Sequence, residues 1–509
     1  MPIDRLEVKV KMGQHAASAG AAPADVALVG GRVIDPDTGL DAVRTVAFTG
    51  GEITHVTEGS VVARRTVDVT GLVVAPGFID LHSHAQSLVG ARLQALDGVT
   101  TALDLEAGRW PVGPAIAAAR EQGRPINFGF SAGWAHARAT LAADGAEIGP
   151  DVVLPWAPGW DEPWSDRQVG RLLDMLAAEL AAGAVGVGML LGYAPGVTRA
   201  EYLQVARLAV EHRVGTFTHA RFLSGAEPGS SLEGVLEVIA ASAATGAPMH
   251  LCHLNSTASH QSAEVARAVT TAAAQGLPVT GEAYPYGAGA TEIGAAFLAP
   301  ENLPRLGLDH SAVRLLHEGR AVHDLAEYQE LRSHHPATDV IVTFLDEADP
   351  ADRTALLETL LLPGAAIASD SFTPYVDGRA VTDDSWPAPA GAVTHPRSAG
   401  CFAKVFRWLV RDLGMLTVPE AVRRCTLVPA EVLARSASSA RRKGRLQVGC
   451  DADVVVFDPA TFGDVATYER LEPSRGMVHV YVDGVPVVCD GQLVLDARPG
   501  RPVAGAAAG

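Results

Sequence analysis

Three features of the sequence predict an α/β fold: a (β/α)8 barrel carrying a small discontinuous β-sandwich domain formed by both chain ends. Short apolar runs alternate with helical segments through the middle of the chain. Segments of β texture stand at both ends. Histidines and carboxylates recur where the apolar runs stop, which is where a barrel gathers its active-site residues.

The chain has 509 residues, 48% hydrophobic and 19% charged, with 52 glycines and 32 prolines. Such a composition excludes disordered, collagen-like and coiled-coil chains. Forty basic against 58 acidic residues give a formal charge of −18. That balance argues against nucleic acid or an anionic membrane as the main partner, because both require a basic surface. Residues 1–22 lack the apolar core of a signal peptide and read as a flexible N-terminal extension. Leu180 to Thr198 is free of charge, but glycines and Pro195 break it, so it reads as a helix end and a buried strand. A cytoplasmic protein is expected.

From 23 to 75 the segments DVALVGGRVIDPDTG, TVAFTGGEITHV and VVARRTVDVTG have the turn-punctuated pattern of hairpins. They form the first part of the β-sandwich domain. The barrel takes 76–424 and begins with VVAPGFIDLHSH. Its later strands are GVTTALDLEAG, INFGFSAGW, GAVGVGMLL, GTFTHARF, PMHLCHL, PVTGEAY and GAAIASD, separated by segments such as EYLQVARLAVEH and SLEGVLEVIAASAATG. An insertion at about 292–363 is expected to cover the mouth, with ALLETLLLPG helical. GRLQVGCDADVVVFDP and GMVHVYVDGVPVVCDGQLVL, within 425–509, return to the β texture and complete the second domain and tail.

His82 and His84 lie two apart at the end of the first strand, so alternation points both to one side and lets them share a metal. His219 ends the fifth strand, His253 the sixth and Asp370 the eighth, while Glu106 closes the second with Asp104 on the same face. Alternation also sends His250 and Cys252 to the face opposite His253, towards the outer helices. Four imidazoles with two or three carboxylates make a nitrogen and oxygen site suited to zinc or a similar divalent ion. The five cysteines (Cys252, Cys401, Cys425, Cys450 and Cys489) form no CxxC pair and read as buried thiols in a reducing compartment.

The motifs together resemble the amidohydrolase superfamily, and within it the N-acyl-D-amino-acid deacylase (D-aminoacylase) branch. The likeness runs through GGRVIDPDTG, APGFIDLHSH, GVTT, GYAPG, YPYGAGAT, THPRSAGCF, GRLQVGCDADVVVFDP, ATYERLEPSRGMVHVYVDG and ARPGR, nearly the whole chain. It implies that His82, His84 and Asp370 bind one metal and that His219 and His253 bind a second. One or two divalent ions per chain, zinc first, are therefore expected. Many superfamily members bridge the two with a carboxylated lysine on strand four, and this branch usually offers a cysteine on strand two. Neither is present: the four lysines are Lys9, Lys11, Lys404 and Lys443, and GVTTALDLEAG has no cysteine. Glu106, within a residue of that cysteine position, is expected to replace the bridge, because a carboxylate can span two cations.

The expected chemistry is hydrolysis of a linear amide by a metal-bound hydroxide, with Asp370 as general base and then general acid. Tyr193 and Tyr286 match positions that resemble substrate-contacting hydroxyls. Arg221 and Arg397, preferred over Arg138, are expected to hold a substrate carboxylate. Asn255 stands where the branch often has a substrate-binding lysine, and Ala290 where relatives often have serine. His395 is expected to shape the last loop. The partner is thus a small-molecule amide, with homo-oligomerisation left open. A cyclic-amide hydrolase or a cyclising tailoring enzyme is the alternative chemistry on this fold. A non-catalytic binding barrel is the alternative of another class.

Overall fold

A computed structural model describes residues 22–143 and 157–505. Apart from Ala22, the expected N-terminal extension therefore lies outside the described residues. Eight parallel strands form the barrel in chain order: Phe78–Asp80, Val99–Arg109, Asn127–Gly133, Gly186–Leu190, Gly215–His219, Met249–Leu251, Val279–Ala283 and Ala366–Ile367. We number these barrel strands one to eight. The ring closes beyond strand one, where the Asp370 amide donates to the His82 carbonyl at 2.7 Å and the His84 amide to the Ser371 carbonyl at 2.8 Å. Strands covered on both faces should read as continuous apolar runs. Strand four, GVGML, does so, with every residue buried.

Local sequence sets the helices between them. Ser231–Thr245 starts at Ser230, whose side chain accepts the Glu233 amide while Glu233 reaches back, and stops at Gly246 with φ 76°. The charge-free stretch resolves into the end of helix Asp166–Ala181 followed by strand four. No described helix is long and apolar enough to cross a membrane.

Both chain ends contribute to one nine-stranded sheet, joined where Val73–Pro76 pairs antiparallel with Val454–Phe457. Phe78 of strand one stacks on Phe402 and Phe406, with ring centroids 5.6 and 5.7 Å apart, and lies 6.4 Å from Phe457 of that sheet. Between strands seven and eight the chain inserts a four-stranded sheet (Ala288–Glu292, Val313–Leu315, Arg320–Ala321 and Asp339–Thr343). It then returns through helix Pro350–Leu360, which packs on helix Ser262–Ala274.

The sixth strand departs from the sequence expectation. Met249 and Leu251, not His250 and Cys252, pack with the outer helices. His250 faces Phe217 at 5.8 Å between ring centroids, and Cys252 joins the interior cluster of Ile79, Leu103 and Phe217. The physical reason is His253, whose φ of 29° breaks the alternation and swings its ring into the mouth on the same side.

Candidate metal centre

His82, His84, Glu106, His219, His253 and Asp370 converge at the C-terminal mouth of the barrel, and all six are buried. The Nε2 atoms of His82 and His84 are 3.1 Å apart, both turned to one point. Asp370 Oδ1 lies 3.3 Å from the first and 3.6 Å from the second. His219 presents Nδ1 and His253 presents Nε2, 2.9 Å from each other.

Glu106 stands between these two groups. Its Oε2 is 3.1 Å from His82 Nε2 and 3.7 Å from His84 Nε2, while its Oε1 is 3.1 Å from His219 Nδ1 and 2.7 Å from His253 Nε2. Pairing of strand two with strand three is irregular between Asp104 and Arg109, so Glu106 sits in a bulge of the kind that re-aims a side chain. Asp104 consequently does a separate job and accepts from His84 Nδ1 at 3.0 Å.

Backbone strain and small residues build the site. His253 and Asp370 are both non-glycine residues at positive φ, 29° and 51°, a cost that surrounding structure must impose. At Gly192 a β-carbon would fall 2.2 Å from His219 Cδ2, so only glycine lets that ring take its place. On strand four Leu190 reaches the chamber above the site where a bridging lysine would otherwise be sought.

The electrostatics call for positive charge. Burial opposes a charged His82, yet Glu106 and Asp370 outweigh it and hold its pKa well above the usual range. Burial likewise opposes the Glu106 carboxylate, but His82 and His253 hold it well below the usual range. Burial keeps His219 below the ordinary imidazole value. Two sets of donors, His82 with Glu106 and His253, and His82 with His84 and Asp370, each lie within 4.8 Å of one another. Buried imidazoles and carboxylates so placed fit a divalent cation.

Four residues expected at the substrate lie off the described chamber wall. Arg221 is consumed by Glu237, at 2.7 and 2.6 Å, and by the carbonyls of Pro195 and Val197, which leaves it no fork for a ligand carboxylate. Arg397 is buried; its Nε donates to the Asp370 carbonyl at 2.7 Å, its Nη2 is ion-paired with the Asp370 carboxylate at 2.7 Å, and it lies over the Tyr284 ring at 4.4 Å. It holds Asp370 rather than lining the chamber. Tyr286 points away to Gly400 and Lys404, because its amide bonds back to the Tyr284 carbonyl and the chain turns there; Tyr284 lines the chamber instead. Asn255 fastens that turn through Tyr284 N and Tyr286 O.

Tyr193 does line the chamber, its ring 4.8 Å from His219 and its hydroxyl 2.9 Å from Thr291 Oγ1. Leu190, Leu223, Phe297, Phe344 and Phe372 make the rest of that wall largely apolar. Among the described residues no lysine or arginine lines it, and residues 144–156 contain neither. His395, as expected, shapes its loop: Nε2 meets the Ala288 carbonyl at 3.0 Å and Nδ1 accepts the Arg397 amide at 3.1 Å. Sequence reasoning missed Glu282, beneath His82. Its signal was a lone carboxylate inside the buried run PVTGEAY.

The amidohydrolase family model matches residues 65–259 and 241–488. The chain belongs to the amidohydrolase family. Over 496 residues it is 29% identical to a D-aminoacylase of Alcaligenes xylosoxydans xylosoxydans, covering 91% of this chain and 94% of that protein. An N-acyl-D-glutamate deacylase of the same organism is 28% identical over 503 residues, covering 94% and 96%. Among solved structures, the N-acyl-D-glutamate deacylase of Bordetella bronchiseptica, complexed with zinc and a phosphonate mimic of the tetrahedral intermediate, has TM-score 0.75 at 25% identity. It covers 95% of this chain and 100% of that one. This amidohydrolase is accordingly a hydrolase of carbon–nitrogen bonds other than peptide bonds.

Proposed function

We propose that this amidohydrolase cleaves a linear N-acyl amide of the N-acyl-D-amino-acid class at a zinc centre with Glu106 as its bridging carboxylate. The observation that carries the reading is Glu106, with one oxygen toward His82 and His84 and the other toward His219 and His253. His82, His84 and Asp370 would hold one ion, and His219 and His253 the other. When bound, such an ion supplies Lewis acidity for the amide carbonyl and lowers the pKa of water. Asp370 takes the proton of the attacking water and returns it to the departing amine. Arg397 fixes the orientation of that carboxylate through its two contacts. Phe297, Phe344 and Leu223 exclude bulk water and offer an apolar surface to the substrate.

The test is release of free amine from a panel of N-acetyl-D-amino acids by zinc-loaded protein. Turnover dependent on zinc is expected. A protein that binds less than one metal per chain and stays inactive with zinc, manganese or cobalt overturns the reading in favour of a binding barrel. One observation favours a second reading: the described chamber wall has no cation to meet a carboxylate. On that reading the substrate is an uncharged or cyclic amide handled by the same machinery. Faster turnover of a dihydropyrimidine or of N-acetyl-D-leucinamide than of N-acetyl-D-leucine would select it.

A further inference from the structure

Beneath the mouth lies a second, fully buried polar chain that the proposed reaction does not use. Glu282, on strand seven, is 1% exposed. Its Oε1 is 2.7 Å from His82 Nδ1 and its Oε2 is 2.9 Å from His250 Nε2. His250 Nδ1 in turn lies 2.8 Å from Thr280 Oγ1, two residues before Glu282 on the same strand. A carboxylate accepts only, so both imidazoles must direct an N–H at it. His250 then accepts the Thr280 hydroxyl at Nδ1. With His82 Nδ1 carrying a proton toward Glu282, Nε2 is the ring atom whose lone pair becomes available to a metal when its own proton leaves. That atom faces Glu106 and Asp370 at 3.1 and 3.3 Å.

We propose that Glu282 is a positioning residue which fixes the ring and tautomer of His82 for metal binding, with His250 and Thr280 as its back support. The inference rests on the reading of His82 as a metal ligand. Three residues on two neighbouring strands act through one imidazole, so the effect belongs to a single ion and not to substrate contact. A negatively charged acceptor behind a ligand histidine raises its basicity, and loss of such a partner costs about 10–100-fold in metal affinity. The carboxamide of Glu282→Gln retains the shape and can still accept from His82, but it lacks the charge and can satisfy His250 only if that ring changes tautomer.

The experiment is zinc titration of the full chain against a chromophoric chelator, with the visible spectrum of the cobalt-loaded protein as a second readout. Glu282→Gln is expected to weaken one zinc equivalent by about 10-fold or more and to shift the cobalt bands. His250→Asn, which leaves Glu282 in place but unsupported, is expected to move both readouts in the same direction by less. Circular dichroism of the metal-free proteins establishes that each variant is folded; if Glu282→Gln is not, His250→Asn carries the test alone. Wild-type zinc affinity and an unchanged cobalt spectrum in a folded variant overturn the proposal. Failure of the wild type itself to bind zinc instead overturns the metal-centre reading on which it rests.

Discussion

At the scale of single residues, Glu106 stands between two pairs of imidazoles, and on the proposed reading its negative charge would offset the repulsion between two cations held there. A carboxylate in a bulge would do this without the longer lysine side chain or the softer thiolate. Glu106→Ala is therefore expected to lose at least one metal equivalent and most activity, read by metal analysis of the purified variant; full metal content would remove the bridging role. The imidazoles also carry a pH signature. Burial works against a charged His84, but Asp104 outweighs it and lifts its pKa to about 9, and His82 is raised as well. With a pKa of about 9, His84 is protonated in the metal-free protein at pH 7.5 and must shed that proton to bind metal, and the raised His82 works in the same direction. Zinc affinity should rise with pH toward 9, with release of protons on binding. Calorimetry in buffers of different ionisation enthalpy measures that release, and no buffer dependence would contradict it.

At the scale of elements, the strand ends explain both what was legible and what was not. His82, His84, Glu106, His219, His253 and Asp370 could be selected from sequence because each terminates a recognisable apolar run. The inward turn of His250 and Cys252 was not legible, because strict alternation assumes extended backbone and His253 abandons it at φ 29°. Tyr286 was mistaken for the chamber residue for a similar reason, a tight turn after Tyr284 that a residue pattern does not announce. Arg221 was misjudged because its partner, Glu237, comes from a different element 16 residues away. The strand-four loop is as exacting as these turns. Gly192→Ala would put a methyl 2.2 Å from His219, forcing the ring or the loop to move. We expect Gly192→Ala to lower kcat/KM by about 10–100-fold, since a displacement near 1 Å costs on that order, with the fold retained by circular dichroism. Unchanged kinetics would show that the loop yields instead.

At the scale of the whole molecule, the barrel has two ends with different duties. The mouth carries the strained and charged residues, while the opposite end is closed by the chain's own C-terminal segment. Gly500 donates to the Arg124 carbonyl at 2.9 Å, Phe128 to Arg501 at 3.1 Å and Val503 back to Phe128 at 2.7 Å, so this segment runs as an extra partner to strand three. Val503 is 3% exposed and belongs to the interior cluster of Leu103, Leu105 and Phe217. Asn127 links the same region to the end sheet, donating to Asp453 at 3.0 Å, where Lys443 also pairs at 2.6 Å. The C-terminal part of the sequence thus meets the barrel at the start of strand three, away from the mouth, which is why the closing ARPGR motif belongs to the fold and not to the reaction. Val503→Asp buries a carboxylate with no partner, a change that costs several kcal/mol in an apolar interior. Its melting temperature should fall by at least about 5 °C, while the protein that remains folded keeps its metal content and its KM. A variant that loses metal in proportion to stability would mean instead that the two ends of the barrel are coupled, and that closure of the base helps to hold His219 and Glu106 in register.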